Sequence, residues 1–330
     1  GAVVQLAIGV TSGMKLERIL KLSQVAEKND VKRVWIGDDI TAPHDVFVSA
    51  STILLRFSKL SVGIGVTSPL VRNVSTIARA AQSLAEMGNH ERFTLGLGIG
   101  GLQDLERFGI KVAKPQDVLR YATTLLRAMS KGKTLTFDKG DFRFRLYQAR
   151  YASNHEVPIF FGVRGPKLLR LAGDIGDGVI LSGPKTYVKK AVHLVQEAIK
   201  ESERAARNFR FVLWLPTVLV EKTANLKLVK NTVVYVLADT PKEVLEQARL
   251  FEEVNEVQAV YHKHGIIRAA KLITPRLLEE VAVYGEPGRI VDEFKAFEKL
   301  GINEVVFGPP YGARPQRAAD DLAESWKRCY

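Results

Sequence analysis

Cysteine is nearly absent from this 330-residue chain, with Cys329 as its one example. An intrachain disulfide is therefore excluded, and a reducing, cytoplasmic setting is expected. Histidine is sparse as well. The residues at 44, 90, 155, 193, 262 and 264 are scattered, and His262 and His264 would point to different sides of a helix. That pattern supports no metal site. No Gly-x-Ser-x-Gly elbow occurs and the one cysteine is terminal, so serine or cysteine nucleophilic catalysis is unsupported. Long apolar runs are missing too. Residues 2–10, AVVQLAIGV, lack a basic flank and are too short for a membrane span. Their alternation reads as a first buried strand.

What is present is a globular composition, 46% hydrophobic and 25% charged, with a net charge of +12. The charge fits a basic solvated surface, and it also fits a positive field that steers an acidic small molecule inward. Basic residues are spread along the chain, without an arm or an aromatic-interleaved stripe, which argues against nucleic acid.

Apolar β-branched runs alternate with amphipathic stretches. Strands are expected at Val3–Val10, Arg33–Gly37, Leu60–Val66, Phe93–Gly98, Pro158–Val163, Gly178–Ser182, Phe211–Val220 and Glu304–Gly308. Helical spacing is expected in 15–28, 74–87, 115–130, 165–175, 185–206 and 287–300. This alternation predicts a parallel sheet closed as a single (β/α)8 barrel spanning 1–330. Residues 134–150 predict a hairpin that turns at Lys139-Gly140. A helical insertion is expected at about 222–285, before the last strand.

Barrel sites lie at the C-terminal ends of the strands. Those ends are Gly37-Asp38-Asp39, Gly65-Val66-Thr67, Gly98-Ile99-Gly100-Gly101, Gly162-Val163-Arg164-Gly165 and Ser182-Gly183. Their glycines suggest a ligand packed against bare backbone. Gly96, Gly98 and Gly101 also fit the dinucleotide spacing G-x-G-x-x-G. A Rossmann fingerprint should follow the first strand, however, and here three strands precede it. Asp38 fits a carboxylate at the barrel mouth, and adjacent Asp39 would raise its pKa if both were confined. Capping or loop solvation is the plainer role for either. Arg164-Gly165-Pro166-Lys167 joins a strand to a helix with proline at the first helical position, and such a helix start binds anions.

Five segments carry a resemblance: VKRVWIGDD, KLSVGIGVTSPLVRN, STIARAAQSLAEMGNHERFTLGLGIGG, VPIFFGVRGPKLLRLAGDIGDGVILSG and YGEPGRIVDEFKAFEKLGINEVVFGPP. In that order they resemble the bacterial-luciferase-like superfamily of barrel oxidoreductases. Within it they are similar to the methylenetetrahydromethanopterin reductase group, which uses the deazaflavin coenzyme F420. The resemblance implies a non-prolyl cis peptide in Gly65-Val66-Thr67, backing the deazaflavin ring. It places Gly98-Ile99-Gly100 beside the coenzyme and its phosphate on Val163-Arg164-Gly165. It places Asp38 and Asp39 at the ring, with Asp38 as the candidate catalytic, orienting or proton-handling group. Relatives usually carry Asp-His where this chain has Asp38-Asp39, and Arg-His-Pro where it has Arg72-Asn73-Val74.

The implied activity is hydride transfer between reduced F420 and a one-carbon pterin substrate. An FMN-dependent monooxygenase and a non-catalytic flavin-binding barrel are the alternatives. A small-molecule substrate and a homo-oligomer are expected, with no metal and no nucleic-acid or membrane partner.

Overall fold

Eight runs of β-branched and aromatic residues form the wall of a closed, all-parallel barrel. In chain order they are β1 (Gln5–Thr11), β2 (Arg33–Gly37), β3 (Ser61–Thr67), β4 (Phe93–Leu97), β5 (Ile159–Gly162), β6 (Gly178–Leu181), β7 (Arg210–Trp214) and β8 (Glu304–Phe307). Around the ring the order is β1-β8-β7-β6-β5-β4-β3-β2, so each strand pairs with its neighbours in sequence and β8 closes on β1. The computed structural model describes residues 3–150, 152–204, 208–221 and 225–329, without the side chains of Leu102 and Asn225. The opening of the expected insertion, 222–224, and residues 205–206 of an expected helix lie outside the described residues.

Helices pack outside the barrel. They are α1 (Leu16–Lys28), α2 (Val46–Arg56), α3 (Val74–Met87), α4 (Leu102–Arg107), α5 (Pro115–Ser130), α6 (Pro166–Ile175) and α7 (Lys185–Glu201). After β7 come α8 (Asn225–Ala238), α9 (Lys242–Gln247), α10 (Phe251–His264), α11 (Ile266–Ala270), α12 (Pro275–Val281) and α13 (Pro287–Ala296), and α14 (Pro315–Arg328) follows β8. Their starts obey local chemistry. Asp45 accepts from the Phe47 and Val48 amides to cap α2, and Asn73 accepts from the Ser75 amide to cap α3. Proline occupies the first turn of α5, α6, α12, α13 and α14, where its missing N–H costs nothing.

Two departures from the sequence reading are instructive. The run Phe211–Val220 is two strands, because Pro216 has no N–H for the ladder. β7 stops at Trp214, and Thr217–Leu219 joins Val283–Gly285 and Pro310–Tyr311 in a small parallel sheet beside the barrel. The segment 46–56, given no element from sequence, is helix α2. The hairpin is present, pairing Thr134–Lys139 with Phe142–Gln148 around Gly140-Asp141.

The packing has three parts. The main core lies between strands and outer helices. A second cluster, built on Val233, Leu237, Val254 and Leu277, holds α8 to α12 together. The barrel interior is filled by Ala7, Trp35, Phe160, Ile180, Val212 and Val306, topped by Val66 and Trp214. Bulky rings fit there because glycines face them. A Cβ on Gly178 would sit 2.6 Å from the Phe160 ring, one on Gly9 would sit 2.5 Å from Trp214, and one on Gly63 would strike Trp35. The N-terminal end is closed by Glu304, 2% exposed, which accepts from Trp35 Nε1 and pairs with Arg33 and Arg210, each at 3.3 Å. Polar residues buried at that end of such barrels serve stability.

Candidate active site at the barrel mouth

Strand ends β2, β3, β4 and β5 bring the sequence-nominated residues to one end of the barrel. β3 makes the first element. Its pairing with β4 shifts between Ile64 and Thr67, and the Gly65–Val66 peptide is cis. The Val66 side chain then lies across the neighbouring strand ends. A Cβ on Gly98 would be 2.5 Å from Val66 Cγ2, and one on Gly162 would be 2.6 Å from Val66 Cγ1. A Cβ on Gly65 would meet Trp214, Trp35 and Ile180 at 3.2–3.3 Å. These glycines make room for protein atoms, a different reason from the ligand approach suggested by sequence. Ile99 packs, partly buried, on the main core, and Gly100 has φ +97, a conformation that favours glycine.

β2 delivers Asp38. Its side chain is 2% exposed and accepts from the Thr67 hydroxyl at 2.7 Å. Arg72 completes the arrangement, donating to both Asp38 oxygens at 3.3 Å and to Asp45 Oδ2 at 2.8 Å. The guanidinium also lies 4.9 Å over the Phe47 ring. Burial pushes the Arg72 pKa down, but the hydrogen bonds to Asp38 and Asp45 outweigh it and the net shift is upward. For Asp45 burial pushes upward, and the bonds from Arg72 and the α2 amides leave it lowered. Asp39 turns elsewhere. Its Oδ1 accepts from the Thr41 amide and hydroxyl at 3.1 and 2.8 Å, and its amide donates to Ser12 Oγ at 2.9 Å. The adjacent carboxylates thus do not share a site. Arg72 and Asp45 were not nominated from sequence. The only signal was the unusual Arg72-Asn73-Val74, which marks a position and names no partner.

β5 delivers Val163-Arg164-Gly165, with Val163 buried. Gly165 is the N-cap of the ten-residue α6, with no side-chain cap, and Pro166 follows. The amides of Lys167 and Leu168 therefore belong to the unpaired first turn, while Leu169 already donates to the Gly165 carbonyl at 2.9 Å. Among the described residues, chain neighbours aside, no atom lies within 4 Å of where a Gly165 Cβ would stand. An uncapped helix start with open space before it can receive an anionic oxygen. The Arg164 guanidinium points another way. Nη1 donates to Thr240 Oγ1 and Nη2 to the Asp239 carbonyl, each at 2.7 Å, just past the end of α8. Burial pushes Arg164 down to about 10, countered by the Asp239 charge. It therefore stays protonated at neutral pH. Burial raises the Asp239 pKa, with Arg164 opposing and Asp104 adding to the rise.

A cavity of about 830 Å³ lies away from the mouth, on the outer wall between α1 and α14, and none of the strand-end residues lines it. Topology and strand-end chemistry, not cavity size, nominate the mouth as the candidate site. No group of three or more His, Cys, Asp or Glu able to hold a metal occurs among the described residues.

Comparison with known proteins agrees with the barrel fold. The family model described as luciferase-like monooxygenase matches residues 3–304. The 5,10-methylenetetrahydromethanopterin reductase of Archaeoglobus fulgidus is 27% identical over 306 residues, covering 90% of each chain. The F420-dependent glucose-6-phosphate dehydrogenase of Rhodococcus hoagii is 26% identical over 318 residues, covering 88% of this chain and 87% of its own. Among solved structures, the coenzyme F420 dependent tetrahydromethanopterin reductase from Methanopyrus kandleri superposes with a TM-score of 0.87 over 100% of both chains at 20% identity. At that identity the likeness speaks for the fold.

Proposed function

The chain belongs to the luciferase-like monooxygenase family, and from that premise we propose that it is an F420-dependent oxidoreductase acting on a one-carbon unit carried by a pterin. Of two curated relatives similar over about nine-tenths of the chain, one is named for F420 dependence with glucose 6-phosphate as substrate and the other for a pterin substrate. The reductase name and the charge of +12, suited to two anionic partners, favour the pterin.

The observation that carries the reading is the α6 start. Its uncapped amides and the open space at Gly165 fit a phosphate-bearing cofactor. Bound there, coenzyme F420 would supply the hydride chemistry, and the protein supplies placement and exclusion of water. The Val163–Gly165 turn and the first α6 amides hold the phosphate. Gly65-Val66-Thr67 and Gly98-Ile99-Gly100 back the ring. Asp38, its buried carboxylate bonded to Thr67 and Arg72, orients the strand ends at the mouth, and Asp39 shapes the loop beside it.

A homo-oligomer belongs to the same proposal. Helix α2 presents Val48, 61% exposed, and Leu55, 71% exposed, on a segment without charge before Arg56. No helix among the described residues is long and apolar enough to cross a membrane.

The test is an anaerobic titration of the purified chain with F420, FMN and NADH, read by absorbance and fluorescence. F420 is expected to bind most tightly, and its reduced form to be oxidised by methylenetetrahydromethanopterin. Tight FMN binding with oxygen consumption would replace the reading with a monooxygenase. F420 binding without pterin turnover would retain the cofactor and reject the substrate.

A further inference from the structure

The turn that precedes α6 is tied at both of its ends. The Arg164 carbonyl accepts from the Tyr187 hydroxyl on α7 at 2.9 Å. The Arg164 guanidinium reaches to the segment after α8 and donates to the Asp239 carbonyl and to Thr240 Oγ1. Thr240 is 5% exposed, and its hydroxyl in turn donates to the Val236 carbonyl at 2.7 Å. The acceptors of Arg164 are thus a carbonyl and a hydroxyl, both neutral. Its direct partners carry no charge, and the charge of the nearby Asp239 carboxylate offsets its own only in part. The carboxyl of Asp239 is turned toward Gly101, where its Oδ2 would be 3.3 Å from a Cβ on that residue.

We infer that Arg164 is a positioning residue through which the helical segment after β7 sets how the cofactor phosphate is held. The argument is mechanical and electrostatic. Gly165 lies one peptide beyond Arg164, so the direction of its amide and of the α6 start depends on where Arg164 is anchored. Fixing both the carbonyl and the guanidinium removes the freedom of a three-residue turn, and a pre-organised turn binds an anion without ordering itself. The retained charge adds a field that favours the same ligand. This inference rests on the proposed phosphate site. It adds that α8 and its following turn, distant in sequence from that site, are part of it.

The test uses Thr240→Val, which keeps shape and removes the hydroxyl, and Thr240→Ser, which restores it. Affinities are measured for F420 and for its phosphate-free deazaflavin nucleoside, with FMN and riboflavin as a second pair. Thr240→Val is expected to weaken F420 by about tenfold, the effect of losing one hydrogen bond to a charged group. The phosphate-free compound should bind unchanged, and Thr240→Ser should recover most of the loss. A loss equal for both compounds would show a merely structural role and overturn the inference, as would no loss at all. If the parent chain prefers FMN to F420, the cofactor reading fails, and the FMN–riboflavin pair judges the inference by the same criterion. A parent chain that gains nothing from the phosphate in either pair overturns both.

Discussion

Replacing Gly165 with valine separates ligand approach from protein stability. Its φ of −63° and ψ of 147° suit a β-branched residue, and among the described residues, chain neighbours aside, no atom lies within 4 Å of the added Cβ. Valine is a poorer N-cap than glycine, a cost of up to about 1 kcal/mol. The stiffer unfolded chain returns about 0.4–1 kcal/mol, so the melting temperature should stay within a few degrees of the parent. Binding should change far more. The Lys167 and Leu168 amides are the unpaired donors of that first turn. Each hydrogen bond to a charged oxygen contributes about 1.5 kcal/mol or more, so losing two weakens the cofactor about 100-fold. The contrasting variant is Gly98→Ala, whose Cβ would stand 2.5 Å from Val66 Cγ2 and 3.1 Å from the Gly162 carbonyl. It should cost about 1–3 kcal/mol of stability through overpacking. Scanning fluorimetry and cofactor titration on both proteins make the comparison. Parent-like affinity in Gly165→Val would place the phosphate elsewhere and refute the reasoning.

Three further outcomes are expected. Arg72→Met strands Asp38, 2% exposed, without its ionic partner and should cost about 3–5 kcal/mol in urea unfolding. The Asp38→Asn, Arg72→Met double variant should recover part of that loss, and strictly additive losses would deny the coupling. Asp45 has a folded pKa below its ordinary 3.8, so its ionised form stabilises the fold above that value and the contribution fades as pH falls through the folded pKa. The stability gap between parent and Asp45→Asn should be full at neutral pH and shrink below pH 3.8; a gap independent of pH would contradict it. Glu304→Gln, at the far end of the barrel, should lower stability by about 3–5 kcal/mol while leaving cofactor affinity unchanged.

The barrel was legible because parallel strands buried on both faces write themselves as continuous apolar runs. Arg33–Gly37 has the same ends in sequence and structure, and β4 stops at Leu97, one residue short of the expected Gly98. Helix α2 was not legible. Its sequence VFVSASTILLR has no polar face beyond hydroxyls and is rich in β-branched residues, so periodicity had nothing to report. At the mouth, Asp38 could be placed from RVWIG-Asp alone, as the residue after a strand. Its partner could not, because Arg72 lies 34 residues away and only the β3 turn brings it back. The Arg164 contacts, 75 and 76 residues distant, depend on how α8 ends, which no local pattern encodes.

Glycine shows how a spacing motif can arise from packing alone. Gly96, Gly98 and Gly101 match a dinucleotide fingerprint, yet each has its own neighbour. A Cβ on Gly96 would strike the Ile64 carbonyl, one on Gly98 would strike Val66, and one on Gly101 would stand 3.3 Å from Asp239 Oδ2. The spacing follows from packing at the end of β4. Of the strand-end glycines nominated from sequence, Gly165 is the one whose added Cβ would meet nothing within 4 Å among the described residues, chain neighbours aside. Absence of a Cβ is informative about a ligand only where the protein leaves the space unfilled. By that criterion the proposed anion site stays where the sequence reading put it, at Val163-Arg164-Gly165 before α6. The conspicuous run becomes the floor that lets Val66 lie flat across the barrel mouth.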